Sequence, residues 1–243
     1  MIPLDRPIRV ARIDIAVGPP LDLDPEERAA VDRHWAATVA ANPTLWNGSA
    51  FVFEDVAITE DGFRATARPA DFATQLCRLR GGLPDRRFHH VFPVAAVTTC
   101  DRRLLLGRQA GTTANAGLSY PPSGSFDADD VLDGRLDPLG NMRRELAEEV
   151  GIDIADLEAD PAWWVIPSGV GRIALVRRHR SGLDAADLSA RIAIGADGHG
   201  AVELDAVAFV PFDAPLALPA TVPYVSLLVA LLASEDFAPE IRP

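Results

Sequence analysis

An α/β fold (α+β in its layering) is predicted by three features of this 243-residue chain. Runs of β-branched and aliphatic residues alternate along it with capped helical patterns. Its hydrophobic fraction of 48% suits an ordinary globular core. No internal repeat or low-complexity tract points to a solenoid or a disordered chain.

The elements follow in order. Ile8 to Val17 alternates and reads as one strand. Asp24-Pro25-Glu26-Glu27 starts a helix with acids in its first turn. That helix should reach about Ala41, with Val31, Trp35 and Val39 inward, and stop at Asn42-Pro43. Phe51 to Ile58 and Phe63 to Ala67 form a hairpin over Glu60-Asp61-Gly62. Asp71 caps a short helix to Arg80, ended by Gly81-Gly82. Val91 to Thr99 and Arg103 to Gln109 make a second hairpin, and a helix follows from Pro138. Trp163 to Pro167 and Ile173 to Arg180 are strands, Asp184 to about Ile194 is helical, and Glu203 to Val210 is a late strand. The apolar run Tyr224 to Ala233 is too short to span a bilayer and reads as a buried helix starting at Pro223.

Composition narrows the function. Twenty-three Lys and Arg against thirty-five Asp and Glu give a net charge of −12. Such a field repels phosphate polymers and anionic lipid, so neither nucleic acid nor membrane is an expected partner. A phosphate ligand would need locally placed cations. Cys77 and Cys100 have no metal-type spacing, and two well-separated cysteines, with no apolar signal core near the N-terminus, suggest a reducing, cytoplasmic location.

The helix from Pro138 is the most informative element. Asp137 can cap it, Pro138 fits its first position, and Gly151 sits where a left-handed residue would end it. Leu139, Met142, Leu146 and Val150 form its inward stripe. Arg144 to Ile152 then reads R-E-L-A-E-E-V-G-I, which puts Glu145, Glu148 and Glu149 at i, i+3 and i+4 on one face. They lie at the negative end of the helix dipole, and Glu145 and Glu149 are a like-charge pair costing roughly 0.2–0.5 kcal/mol. Arg144 can pair with Glu148, in the weaker order. A helix chosen for stability alone would not carry these penalties, and a hard divalent cation would remove them.

This run resembles the second half of the Nudix box, G-x5-E-x7-R-E-U-x-E-E-x-G-U, at every specified position from the arginine onward. The resemblance implies a mixed β-sheet sandwiched between helices, with a Nudix domain over residues 88–243 and an N-terminal α/β subdomain over 1–87. It implies divalent-metal-dependent hydrolysis of a nucleoside diphosphate linked to another moiety. Glu145, Glu148 and Glu149 would hold Mg²⁺ or Mn²⁺, and Arg144 would orient them. Water activated there would attack one phosphorus in line, with a carboxylate not saturated by metal as general base.

Departures and secondary candidates qualify the match. Counting back from Arg144, the expected Glu falls on Leu136 and the expected Gly on Asp130. Gly124, in Pro121-Pro122-Ser123-Gly124, is an alternative Gly that requires a six-residue insertion. The stretch between reads as a surface loop in which Asp133 or Asp137 is a candidate replacement carboxylate, Asp137 being better explained as the cap. Arg108, Tyr120, Ser123 and Gly124 are candidate substrate contacts. Glu203 is a candidate extra ligand or base, against the default of an exposed strand-end acid. Arg172, Arg177, Arg178, His179 and Arg180 could bind phosphate, against the default of a solvated strand face. His89-His90 make no convincing zinc site without further ligands nearby.

Asn42-Pro43-Thr44-Leu45-Trp46-Asn47-Gly48 is similar to a segment of a Nudix subgroup acting on nucleotide sugars such as UDP-glucose; helix stop, turn and core packing explain the same residues. The extension is expected to supply either a homodimer interface or one wall of the substrate pocket. The function implied is hydrolysis of a nucleoside diphosphate sugar to a nucleoside monophosphate and a sugar phosphate. The alternatives are an ADP-ribose-type pyrophosphatase and a non-catalytic ligand-binding module.

Overall fold

The computed structural model describes residues 6–59, 61–81, 83, 88–169, 171–195, 202–213 and 220–234. Its strands are β1 (Ile8–Val10), β2 (Ile13–Val17), β3 (Ser49–Thr59), β4 (Gly62–Asp71), β5 (His90–Thr98), β6 (Arg103–Gln109), β7 (Ser119–Tyr120), β8 (Val131–Leu132), β9 (Arg135–Leu136), β10 (Glu158–Ala159), β11 (Trp163–Pro167), β12 (Arg172–Arg180) and β13 (Leu204–Pro211). Its helices are α1 (Pro25–Ala41), α2 (Phe72–Leu79), α3 (Pro138–Val150), α4 (Ala185–Ser189) and α5 (Pro223–Ala233).

The fold is mixed α+β with two mixed sheets. The larger runs β1-β11-β12-β5-β6-β13, with β7 and β10 on its margins; β12 and β5 are parallel, and the other paired strands are antiparallel. The smaller runs β3-β4-β2-β9-β8, with β2 and β4 parallel. Strand alternation divides the larger sheet cleanly. Val91, Leu105, Val165, Ile173 and Leu175 face one side, where Met142, Leu146 and Val150 of α3 and Phe53 and Phe63 of the smaller sheet join them. Val94, Leu104, Leu106, Ala174 and Val176 face the other side, against Leu228, Val229 and Leu232 of α5. Only one face is thus covered by a helix alone; the second sheet shares the other with α3.

Several expectations are corrected. Ile8 to Val17 is two strands in different sheets: β1 pairs with β11 and β2 with β4. The chain changes sheets at Ala11-Arg12, where the Phe63 amide donates to the Arg12 carbonyl. A Cβ on Gly62 would lie 2.8 Å from that carbonyl, so glycine permits the crossing. On α1, Thr38 is buried more deeply than Val39. The helix expected to reach Ile194 ends at Ser189, because the chain is drawn onto the C-terminal end of α3. There the Ala193 amide donates to the Val150 carbonyl at 3.1 Å and that of Gly195 to Glu149 at 3.4 Å. Both are carbonyls that the helix itself leaves unbonded.

The aspartate-rich stretch is more than a surface loop. Asp133 (φ 50) and Gly134 (φ 74) form the two-residue turn of the β8–β9 hairpin, a conformation asparagine, aspartate and glycine favour. Arg135 pairs with Ala16 at the edge of β2, and Phe126 and Leu136 are buried. Cys77 is buried, Cys100 is exposed, and both are free. No described helix is long and apolar enough to cross a membrane.

Asp137 accepts from the Leu139 amide at 3.1 Å and Pro138 opens α3, while Gly151 closes it at φ 68. Asp137→Ala is expected to lower stability by about 1 kcal/mol, the usual cost of a lost cap, seen as a shifted urea midpoint at unchanged slope.

Candidate functional site

Helix α3 buries Glu145 and Glu149 one turn apart, at 6% and 4% exposure. Carboxylate oxygens of Glu145, Glu149 and Glu203 lie within 4.8 Å of one another. Glu203 immediately precedes β13, and its backbone carbonyl accepts from the Ala110 amide at 2.8 Å. Strand pairing therefore delivers it to the helix. Glu148 is outside that trio, with its side chain 30% exposed, yet it lines the same cavity.

The loop before α3 is shaped to these carboxylates. The Ser123 amide donates to Glu149 Oε2 at 3.1 Å. A Cβ at Gly124 would come within 2.1 Å of Glu145 Oε1, so a larger residue there would displace the carboxylate. Arg144 donates to Glu145 at 2.8 Å, to Asp130 at 3.2 and 3.3 Å, and to Glu148 at 3.5 Å, and is 3.4 Å from Asp127. Asp130 is buried and also accepts from Asn141 at 2.8 Å and from the Asp127 amide at 3.0 Å.

Asp130 is the residue that counting back from the arginine missed. Five residues separate Gly124 from Asp130, the G-x5-E spacing with aspartate in place of glutamate. The six-residue insertion is then Val131 to Leu136, the β8–β9 hairpin itself. Asp133 occupies an exposed turn and Asp137 caps α3, so neither replaces the carboxylate. Counting forward from Gly124 would have found it.

Burial sets the electrostatics. It pushes the Glu145 carboxyl up to about 8, aided by Glu203, Glu148 and Asp130 and opposed by Arg144. Burial, then the charges of Glu145 and Glu203, raises Glu149 well above the usual carboxylate range. The Asp130 carboxyl is also raised by burial, against its hydrogen bonds and Arg144. Burial disfavours the Arg144 charge, but Glu145, Asp130 and Asp127 outweigh it and hold the guanidinium protonated.

These residues fit a divalent cation. Glu149 Oε1 is buried without a hydrogen-bond partner among the described residues, so it has a lone pair to offer. All the donors are hard oxygens, the set that suits Mg²⁺ or Mn²⁺.

Glu145, Glu148 and Glu203 line a cavity of about 690 Å³. One wall comes from the N-terminal stretch and includes Leu45, Trp46, Phe72 and Leu76. Trp46 is 55% exposed, and a Cβ on Gly48 would lie 2.4 Å from its indole, so glycine lets the ring lie against the backbone. Asn42 Nδ2 and Thr44 Oγ1 both donate to the Thr112 carbonyl, at 3.1 and 2.9 Å. They tie this segment to a loop whose Thr113 and Asn115 also line the cavity.

The other candidates divide. Tyr120, Ser123 and Gly124 line the cavity; the Tyr120 hydroxyl accepts from Asn115 at 3.2 Å. Arg108 does not line it. Strand alternation turns Gln109 to the cavity and leaves Arg108 exposed, 2.6 Å from Asp205. Of the basic residues on β12, Arg172 alone lines the cavity; Arg177, Arg178 and Arg180 bond to Asp160, Thr98, and Glu158 with Asp160. His179 is buried and therefore not on a solvated face. His90 also lines the cavity, its Nε2 3.0 Å from Ser125 Oγ.

No protein-family model matches the chain, and no curated protein matches it. Among solved structures, it is similar to the MutT protein from Methanosarcina mazei Go1, at 17% identity and a TM-score of 0.40, over 61% of this chain and 96% of that one. It is similar to the Nudix domain of Shewanella oneidensis NrtR complexed with ADP ribose, at 16% and 0.42, over 61% and 88%. A bifunctional NMN adenylyltransferase/ADP ribose pyrophosphatase from Francisella tularensis, complexed with AMP and a Mn ion, gives 15% and 0.44, over 65% and 45%. Likeness at this level assigns no role to any residue here.

Between pH 4.5 and 8 the folded metal-free protein holds a proton on Glu145 that the unfolded chain has released. The stability this contributes is complete below about pH 4.5 and is lost as pH rises through about 8. In a chelator, the melting temperature should therefore fall across this window, and saturating Mg²⁺ should restore it most at the alkaline end. A melting curve series with and without Mg²⁺ measures both.

Asp130→Asn would set an amide N–H₂ among three donors. A loss of about 1–3 kcal/mol is expected in urea unfolding, because one buried partner is left unsatisfied.

Proposed function

We propose that this chain is a Nudix hydrolase that splits the diphosphate of a nucleoside diphosphate sugar into a nucleoside monophosphate and a sugar phosphate. The observation that carries the reading is the convergence of Glu145, Glu149 and Glu203 at the R-E-L-A-E-E-V-G-I helix, beside a cavity with an aromatic wall. In this reading Glu145, Glu149 and Glu203 hold Mg²⁺ or Mn²⁺. The cation supplies charge neutralisation at the diphosphate and acidifies water.

The protein's own groups do the rest. Arg144 orients Glu145 and Glu148 through the bonds it makes to both. Glu148, the most exposed carboxylate of the helix cluster, accepts the proton of the attacking water. The water oxygen bonds to one phosphorus while the bridging P–O bond breaks, and the electron pair leaves with the other phosphate. Residues 1–87 lend the cavity its Leu45-Trp46 wall, on which the planar base of the ligand lies, and residues 88–243 carry the carboxylates. The cavity is of the size that takes a small molecule, and the two free, well-separated cysteines support the cytoplasm as its site of action.

A panel of UDP-glucose, other nucleoside diphosphate sugars and ADP-ribose, assayed with Mg²⁺ for monophosphate release, tests the reading. Turnover of UDP-glucose or a related sugar nucleotide is expected, with Glu148→Gln lowering kcat about 10²- to 10⁴-fold while Mg²⁺ binding persists. Glu149→Gln should lose both. Trp46→Ala should raise KM roughly tenfold with kcat little changed, as loss of a stacking platform does. Turnover of ADP-ribose alone would replace the substrate, and binding without turnover under any divalent metal would overturn the enzyme reading.

A further inference from the structure

Among the described residues two arginines line the cavity, and they differ in one respect. Arg144 is engaged by Asp130, Glu145 and Glu148. The Arg172 guanidinium makes no hydrogen bond or ion pair among the described residues, although the residue is half-buried. A guanidinium carries five N–H donors in a planar fork, and leaving them unanswered away from bulk water is costly. The charges acting on Arg172 are a second cation, Arg80, and the Tyr120 phenol; with burial first, they net to lower its proton affinity. No carboxylate is among them.

The backbone holds Arg172 firmly in this place. It is the first residue of β12 and lies opposite His90 of β5 in the parallel register. Gly171, just before it, is left-handed at φ 69, and the Ser168 amide donates to the Arg172 carbonyl at 2.9 Å. Its neighbour His90 does not share the positive charge: burial, then Arg172 itself, pushes that imidazole down to about 3, so it is neutral at physiological pH. In a chain with twelve net negative charges, the described lining of the cavity keeps one guanidinium with no carboxylate partner among the described residues.

We propose that Arg172 is the anion anchor of this cavity and takes the phosphate of a bound nucleoside diphosphate through its planar fork. This rests on reading the cavity as a diphosphate site. The anion arrives with the ligand, which explains why the described residues supply none. The assignment makes Arg172 a binding residue that fixes which way the diphosphate lies relative to the carboxylate end. A fork suits a tetrahedral oxyanion with two adjacent oxygens, a match that lysine cannot reproduce.

The test is calorimetric titration with inorganic pyrophosphate in saturating Mg²⁺, for the intact protein and for Arg172→Gln and Arg172→Lys. Arg172→Gln should weaken pyrophosphate binding about tenfold or more, Arg172→Lys should fall between, and Mg²⁺ binding measured alone should not change. Without pyrophosphate, Arg172→Gln should melt at the same temperature as the parent or higher, because an unanswered half-buried charge has gone. Unchanged pyrophosphate affinity in Arg172→Gln would overturn the assignment. So would a loss that tracks weakened Mg²⁺ binding, or a lower melting temperature in both variants, which would mark a structural arginine. Hydrolysis is not read here. A protein that binds pyrophosphate through Arg172 but cleaves nothing would sink the enzyme reading and leave this one standing.

Discussion

Two carboxylates buried one helical turn apart, Glu145 and Glu149, set the terms for everything around them. Removing an ionised carboxylate from water is expensive, and two together cost more. The surroundings compensate in specific ways. The Ser123 amide answers one oxygen of Glu149, Arg144 answers one of Glu145, and Gly124, having no side chain, leaves free the space the Glu145 carboxylate fills. Glu203 comes next to them from another element, which worsens the repulsion. A core that wanted only stability would place an apolar residue there. Oε1 of Glu149 has no hydrogen-bond partner among the described residues, and a hard cation would answer it and the repulsion together.

The same constraint explains the β8–β9 hairpin. Asp130 and Arg144 must meet for the arginine to be held, and the six residues between Asp130 and the helix cap leave that contact intact. The inserted residues do structural work of their own. Val17 donates to the Gly134 carbonyl at 2.9 Å, Arg135 pairs with Ala16 in register and with Asp14 in charge, and Leu136 enters the core. The hairpin thus stitches the smaller sheet to the segment leading into α3. That sheet pairs β3 with β4, and β4 leads directly into α2 at Asp71; α2 and the segment before β3 contribute residues to the cavity lining.

What was legible in the sequence follows from what is local. The caps of α1, α2 and α3, the β-branched and aliphatic runs of β5, β6, β11 and β12, and the inward stripe of α3 depend on neighbours within a few residues, and all appear in the chain's own pattern. The failures are tertiary. Nothing in Ile8 to Val17 shows that the chain changes sheets at Arg12, because both halves keep strand alternation. Asp184 to Ile194 has helical composition, but the open carbonyls at the end of α3 take the Ala193 and Gly195 amides instead. At the site, Glu145, Glu148 and Glu149 were readable because a helix fixes their spacing. Glu203 reads in sequence as an exposed strand end, because it is pairing of β13 with the distant β6 that brings it in. Arg108 and Arg172 looked alike as strand arginines; only the pleat and the cavity separate them.

Charge distribution gives the last constraint. A surface field of twelve net negative charges repels any approaching phosphate at long range. Favourable interactions must then be short-ranged and enclosed, where the dielectric is low and a single guanidinium or cation counts for more than in water. The cavity is arranged in that way: hard oxygen donors on α3 and before β13, Arg172 on β12 without a counter-ion among the described residues, and an indole wall from the N-terminal stretch. On the proposed reading a polymer backbone would gain little from such an arrangement, because most of its phosphates would stay outside in the unfavourable field. A small ligand with its charges adjacent and a planar apolar end would place all of them inside. Enclosure and net charge would then act together as a filter, set by the residues that carry the charge inside the cavity.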